Sequence, residues 1–207
     1  MTDSICNAII VAMVRKTTRG KGFESMRVIT GTARGRRLTT REGSETRPTP
    51  ERVKEAIFSI IQFQVEGRRV LDAFAGSGQL GIEALSRGAS HADFLDSSKE
   101  SVGVIQKNLE ATGLAQRATV HQTDALLFLQ RKAIPYDLCF LDPPYRTGLL
   151  QQALPLCAAV MNPGGVIFCE HPDDETMSDC AGDFVKNRTY RYGKIMVTTF
   201  VHKDVSK

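Results

Sequence analysis

The chain has 207 residues, of which 42% are hydrophobic and 24% charged, which excludes a disordered or collagen-like polymer and suits one domain with at most a small appendage. A chain of that length can bury roughly 70% of its unfolded surface, so it needs no disulfide or metal to hold a core. The formal net charge of +4 is unevenly spread: residues 15–54 carry twelve Lys or Arg against four acids, a net of +8, so the rest sums to −4. Clustered charge of this kind attracts polyanions.

In chain order, residues 1–25 read as a flexible extension whose basic part, 15–25, is a solvated tail. Its apolar run, Ile5 to Val14, is too short to cross a membrane, and the Asp3 before it, with no Lys or Arg, argues against a secretory signal. Residues 26–62 read as a basic nucleic-acid-binding module. Met26 to Thr30 suggests a short strand, and Gly31 to Gly43 a glycine-punctuated hairpin. A helix follows, with Thr49 as cap, Pro50 in its first turn, and Val53, Ala56, Ile57, Ile60 and Ile61 on one face. Candidate phosphate contacts are Arg34, Arg36, Arg37, Arg47, Thr49, Arg52 and Lys54.

Residues 63–207 alternate strand and helix signals, with strands expected at 69–74, 91–96, 117–122, 136–141 and 165–170. This pattern predicts an α/β fold, a doubly wound Rossmann-like parallel sheet. Asn187–Tyr192 and Ile195–His202 predict an antiparallel hairpin closing one sheet edge. The five cysteines (Cys6, Cys139, Cys157, Cys169, Cys180) are odd in number and unpaired in spacing, as expected of reduced packing residues in a cytoplasmic protein. Neither they nor His91, His121, His171 and His202 show ligand spacing, so no metal is expected.

Ligands of open α/β sheets bind at the carboxyl ends of the strands. The first strand ends in Asp72-Ala73-Phe74-Ala75-Gly76-Ser77-Gly78, ahead of Gly81, where glycines allow a sharp turn and close backbone approach. Gly76 to Gly81 fits G-x-G-x-x-G with Asp96 twenty residues on, so a dinucleotide such as NAD is permitted by that motif alone. Asp72, four residues ahead of the first glycine, opposes pyrophosphate and suits an ammonium-bearing ligand such as S-adenosylmethionine. Asp96, with Ser97, could then take the ribose hydroxyls, and Asp124, with Ala125, the adenine amine; Asp124 can equally cap the helix that follows.

The fourth strand ends in Asp142-Pro143-Pro144-Tyr145. The prolines make a rigid turn and remove two donors, leaving the Asp142 carboxylate and Pro143 carbonyl as acceptors beside a flat ring. An exocyclic amine is a poor nucleophile because its lone pair is delocalised into the base. Two acceptors on its N–H groups draw it toward a tetrahedral shape and stabilise positive charge as a methyl arrives. Tyr145 offers a stacking face for a base removed from its helix.

Taken together these segments resemble class I S-adenosylmethionine-dependent methyltransferases acting on exocyclic amines. More narrowly, they resemble the RsmD family of bacterial small-subunit (16S) rRNA guanine-N2 methyltransferases. The resemblance covers about residues 26–202 and is carried by Ala33 to Leu38, Arg47 to Phe58, Leu71 to Gly78, Gly81 to Ala89 and Asp142 to Tyr145. Two departures stand out: residues 1–25 precede the usual family start near Met26, and Asp96 stands where many relatives carry Glu. The resemblance implies a monomer acting on 16S rRNA or the assembling small subunit, with S-adenosyl-L-homocysteine as product. It also implies in-line transfer without metal or covalent intermediate: Asp72 and residues 74–78 at the methionine end, Asp142 and Pro143 on the guanine N2, Tyr145 on its face.

A DNA adenine-N6 methyltransferase is the nearest alternative; the 18 positions from Asp124 to Asp142 leave no room for its usual recognition domain. An NAD-dependent oxidoreductase and a non-enzymatic RNA-binding module are the others.

Overall fold

A computed structural model describes residues 26–40, 50–131 and 134–205 of the chain. Eight strands form a single sheet: β1 (Arg69–Asp72), β2 (His91–Asp96), β3 (Ala118–Gln122), β4 (Tyr136–Leu141), β5 (Met161–Pro172), β6 (Cys180–Ala181), β7 (Phe184–Tyr192) and β8 (Ile195–His202). Their order is β3-β2-β1-β4-β5-β8-β7-β6, parallel from β3 to β5 and antiparallel beyond. The five parallel strands fall where the apolar runs predicted them, although β1 stops at Asp72 and β5 runs longer. The hairpin β7–β8 also forms, with β8 against β5, and β7 carries a register shift between Lys186 and Arg188.

Helices α1 (Glu51–Ile60), α2 (Gln79–Ser86), α3 (Lys99–Thr112), α4 (Ala125–Leu129) and α5 (Leu149–Ala158) cover the sheet. Leu80, Ile82, Leu85, Phe94 and Ile105 pack on one face of it; Leu95, Cys139, Leu154, Cys157 and Ile167 pack on the other. Both faces of β1 and β4 are therefore largely dry, as their apolar runs require, whereas no residue of the edge strand β3 is buried.

The N-terminal segment departs from expectation in two ways. Met26 to Thr30 is not a strand: a single antiparallel bridge joins Arg27 to Arg37, and the turn lies at 30–35. Met26 and Val28 exchange backbone hydrogen bonds with Gly35, Arg36 and Leu38, and other backbone groups here bond to side chains of the neighbouring helices. The Glu83 carboxylate, fully buried on α2, accepts from Ile29 N–H at 2.7 Å and Thr30 N–H at 3.0 Å. Ser86 Oγ donates to the Thr30 carbonyl at 2.6 Å and accepts from Ala33 N–H at 3.0 Å. Gly31, at φ +87°, lies so close to α2 that a Cβ would sit 1.9 Å from the Ser86 carbonyl oxygen. On α3, buried Asn108 accepts from Thr39 N–H at 2.8 Å and donates to the Thr39 carbonyl at 2.9 Å.

Helix α1 begins at Glu51, so Pro50 is its cap rather than part of its first turn, and Thr49 lies outside the described residues. Its buried face is Val53, Lys54, Ile57 and Phe58. Val28, Leu38, Val53, Ile57 and Phe58 belong to the same apolar cluster as Leu80, Leu85 and Phe94. Residues 26–40 and 50–61 thus share a core with the sheet.

Candidate active site

The strand order lines up five acids along the carboxyl edge of the sheet: Asp124 after β3, Asp96 ending β2, Asp72 ending β1, Asp142 after β4 and Glu170 near the end of β5. Strand order reverses between β1 and β4, the crevice where open α/β sheets take ligands.

From β1 the chain turns through 73–78 into α2. Gly76 and Gly78 have φ of +56° and +77°, a region costly for side-chain-bearing residues. A Cβ on Gly76 would meet nothing within 4 Å, so this backbone is open to a ligand. Gly81 serves packing instead, since a Cβ there would lie 2.3 Å from the Phe94 ring. The loop is braced from beneath and behind. Asp96 accepts from Gly76 N–H at 3.0 Å and Ser98 N–H at 2.8 Å. Asn108 donates to the Ser77 carbonyl at 2.9 Å, and Ser77 Oγ lies 3.2 Å from Met26 Sδ.

Asp72 is almost completely buried beneath this loop and accepts from Gly81 N–H at 2.9 Å. Burial pushes its carboxyl up to about 7; the Gly81 bond opposes that shift and the nearby Asp96 adds to it. Asp124 is exposed and accepts from Leu127 N–H at 2.9 Å, capping α4, so the capping role open in the sequence is filled. Ser97 is exposed beside Asp96, Phe74 is partly buried, and Ala75 and Ala125 are buried.

On the other side of the crevice, Asp142 is half-buried, Pro143 buried and Pro144 exposed. The Pro144 carbonyl accepts from Thr147 Oγ1 at 2.7 Å, which closes the turn toward α5. Tyr145 is 38% exposed, and its hydroxyl donates to Glu170 Oε1 at 2.7 Å. Pro143, Pro144, Tyr145, Gly148, Leu150 and Glu170 meet here in a shallow depression too small to enclose a water. Nothing in the sequence pairs Tyr145 with Glu170, whose only signal is an acid at the end of an otherwise apolar strand.

Among the candidate RNA contacts, Arg34, Arg36, Arg37 and Arg52 are exposed, while Arg47 and Thr49 lie outside the described residues. Lys54 is a correction. It is 1% exposed, donates to the Arg27 carbonyl at 2.6 Å and sits 3.6 Å from Glu83, so it cannot reach a phosphate. Burial lowers the pKa of its ammonium, with Glu83 opposing that shift. Among the described residues no His, Cys, Asp and Glu cluster could hold a metal, and no helix is long and apolar enough to cross a membrane.

A glycine-turned loop over a buried acid, facing an acceptor-rich turn across the sheet's switch point, is the arrangement of a class I methyltransferase. Solved structures agree: the Escherichia coli protein YhhF superposes with a TM-score of 0.77 at 32% identity, covering 86% of this chain and 98% of that one. The model for the family described as "Conserved hypothetical protein 95" matches residues 26–201. Ribosomal RNA small subunit methyltransferase D of Escherichia coli is 38% identical over 141 residues, covering 68% of this chain and 71% of that enzyme. The Haemophilus influenzae enzyme of the same name is 35% identical over 167 residues, covering 78% and 86%. The chain belongs to this family, the RsmD methyltransferases. Membership sets aside the oxidoreductase and binding-module readings.

Proposed function

We propose that the protein transfers a methyl group from S-adenosylmethionine to the exocyclic N2 amine of a guanine in 16S rRNA, in naked RNA or the assembling small subunit. The open glycine loop and the buried Asp72 fit the methionine end of that cofactor, and Asp96 and Ser97 lie where its ribose would need acceptors. When bound, the cofactor supplies a sulfonium methyl as electrophile. The chain's own residues do the rest. Asp142 and the Pro143 carbonyl accept the two N–H bonds of the amine and orient its lone pair, and Tyr145 stacks on the base. The methyl would pass to the amine nitrogen as its bond to sulfur breaks, leaving a neutral thioether, and the amine proton would pass to water. Acceleration comes from positioning and excluded water. Arg34, Arg36, Arg37 and Arg52 supply exposed cations for the RNA backbone.

The observation that carries this reading is the Asp142–Tyr145 turn after β4, beside the end of β1 that leads into the glycine loop, with the Tyr145 hydroxyl bonded to Glu170 at 2.7 Å. The rRNA substrate is supported by the names of the Escherichia coli and Haemophilus influenzae relatives. Methyl transfer is measured on 16S RNA, small-subunit particles and duplex DNA, with the modified nucleoside identified by mass spectrometry. N2-methylguanosine in the RNA, lost in Asp142→Ala, is the expected result; N6-methyladenine in DNA refutes the reading.

A further inference from the structure

Beyond β5 the sheet continues into the β7–β8 hairpin, and one face of that hairpin is partly uncovered. Glu170 of β5 stands opposite Val197 of β8, and Val197 stands opposite Tyr190 of β7. In the same register Tyr192 opposes Ile195 and Arg188 opposes Thr199. Opposed residues share a face of a sheet, as do alternate residues along a strand, so Glu170, Arg188, Tyr190 and Tyr192 project from the same side. Val197 and Ile195 pack there with Val53 and Phe58, which makes it the side on which α1 lies. Arg188 is exposed and both tyrosines are partly exposed. Tyr192 rests against the core cluster. Burial pushes its phenol up to about 12, and the Tyr190 phenol close by adds to that shift.

This face adjoins the candidate active site. Ile195 opposes Pro172, the last residue of β5, so the hairpin tip emerges at the same carboxyl edge as the row of acids. Tyr190 lies two strand spacings from Glu170, about 10 Å at ~4.8 Å each, and Glu170 holds the Tyr145 hydroxyl. The tip also meets the N-terminal segment: a Cβ on Gly193 would lie 3.5 Å from Arg52 Nη2.

The charges around the tip leave a cationic surplus. Glu51 pairs with Arg27 at 2.9 Å, Asp173 with Arg191 at 2.8 Å and Asp174 with Arg146 at 2.7 Å. Lys186 pairs with Asp179, and Arg191 Nε also donates to the Gly193 carbonyl at 3.1 Å, which commits Arg191 to the hairpin itself. Glu170 is buried, so Glu55 on α1 is the one exposed carboxylate left. Against it stand Arg52, Arg188 and Lys194, all exposed and in no ion pair among the described residues; Lys194 acts on Asp174 only at longer range. A ring flanked by such cations suits a polyanion whose bases have open faces. Paired RNA hides those faces, so the match is to unpaired nucleotides.

We infer that this face of the hairpin is a platform for the single-stranded RNA that flanks the methylated guanine, with Tyr190 stacking on a base, Tyr192 backing it, and Arg188, Lys194 and Arg52 meeting phosphates. The inference rests on the RNA-methylating reading and adds to it a second contact region, on the far side of Tyr145 from the cofactor loop.

The test uses the full-length protein and a 16S RNA fragment in which the methylated guanine has been mapped and its neighbours are unpaired. Tyr190→Leu is expected to weaken RNA binding about tenfold and to raise KM, whereas Tyr190→Phe, which keeps the ring, binds as the wild type does. Arg188→Gln is expected to flatten the log–log salt slope of binding by about 1. Melting temperature and cofactor affinity stay at wild-type values in all three. In the wild type, 4-thiouridine placed beside the guanine is expected to photocrosslink to the peptide holding Arg188 to Tyr192, a readout that decides the matter should Tyr190→Leu not fold. The inference is overturned if that crosslink is absent, if Tyr190→Leu binds as tightly as the wild type, if Tyr190→Phe loses as much as Tyr190→Leu, or if the Arg188→Gln slope is unchanged. A wild type that methylates no guanine in the fragment refutes the functional reading; one that methylates it while binding independently of the hairpin refutes this inference alone.

Discussion

The most informative perturbation is Asp72→Asn, because the proposed function sets the cost of burying this carboxylate against a role in cofactor binding. In the cofactor-free protein its pKa stands at about 7 against an ordinary 3.8. Well below pH 3.8 the carboxyl is protonated in folded and unfolded chains alike, and burial of a charge costs nothing. Between these values the folded form keeps a proton that the unfolded form gives up, so stability falls as pH rises. Above pH 7 the folded protein holds a buried charge. At about 1.4 kcal/mol per pH unit, the full cost is about 4 kcal/mol, of which about 3 kcal/mol accrues between pH 5 and pH 8.5. The asparagine is neutral throughout, and its amide oxygen can still accept from Gly81 N–H. Urea unfolding of both proteins without cofactor, at pH 5 and pH 8.5, should therefore show the wild type losing about 3 kcal/mol more than the variant across that interval. Calorimetry at pH 8.5 should show the variant binding S-adenosylmethionine about tenfold more weakly, ~1.4 kcal/mol. Parallel pH dependence in the two proteins would refute the assigned cost, and unchanged affinity would refute the role beneath the loop.

Lys54→Met should leave the salt dependence of RNA binding unchanged, whereas reversing Arg36 and Arg37 to Glu should flatten the log–log slope by about 1–2; filter binding across a salt series decides this. Gly31→Ala should cost roughly 1–3 kcal/mol, because its Cβ would collide with the Ser86 carbonyl. A melting temperature within a degree of wild type would contradict that contact. Asn108→Ala removes three hydrogen bonds that tie residues 39 and 77 to α3. Thermal unfolding should reveal lowered stability, and cofactor titration a weaker Kd, since the glycine loop loses a brace; unaltered values in both would argue against it.

The chemistry-bearing turns were legible because each follows a strand that announces itself. Val70-Leu71 and Leu138 to Leu141 are continuous apolar runs, and the residues after them, Asp72 to Gly78 and Asp142 to Tyr145, have few other uses. The N-terminal segment was less legible. Met26 to Thr30 looks like a strand by composition, but it shares only a few backbone bonds with residues 35–38, and Ile29 and Thr30 bond the side chains of Glu83 and Ser86, remote in sequence and not deducible from local pattern. Lys54 misled because its charge outweighed its position. Spaced with Ile57, Phe58 and Ile61, it falls on a helical face as apolar as the one first read. Its ammonium is tolerated there because Glu83 and the Arg27 carbonyl receive it. Asp72 was read as a ligand contact, and its bond to the Gly81 amide became visible only once the loop had folded back over it.

The last strands of the sheet have a consequence for colloidal behaviour. β6 is two residues long and pairs only with Phe184 and Val185, so the outer rim of β7 is uncovered for most of its length. Such a rim is a template on which a foreign chain could add itself. Here it bears Lys186, Arg188 and Arg191, and its ladder is broken between Lys186 and Arg188. An incoming strand would have to neutralise those cations and realign a kinked backbone before gaining its first hydrogen bonds. The boundary strand is thereby guarded against runaway polymerisation even at high local concentration.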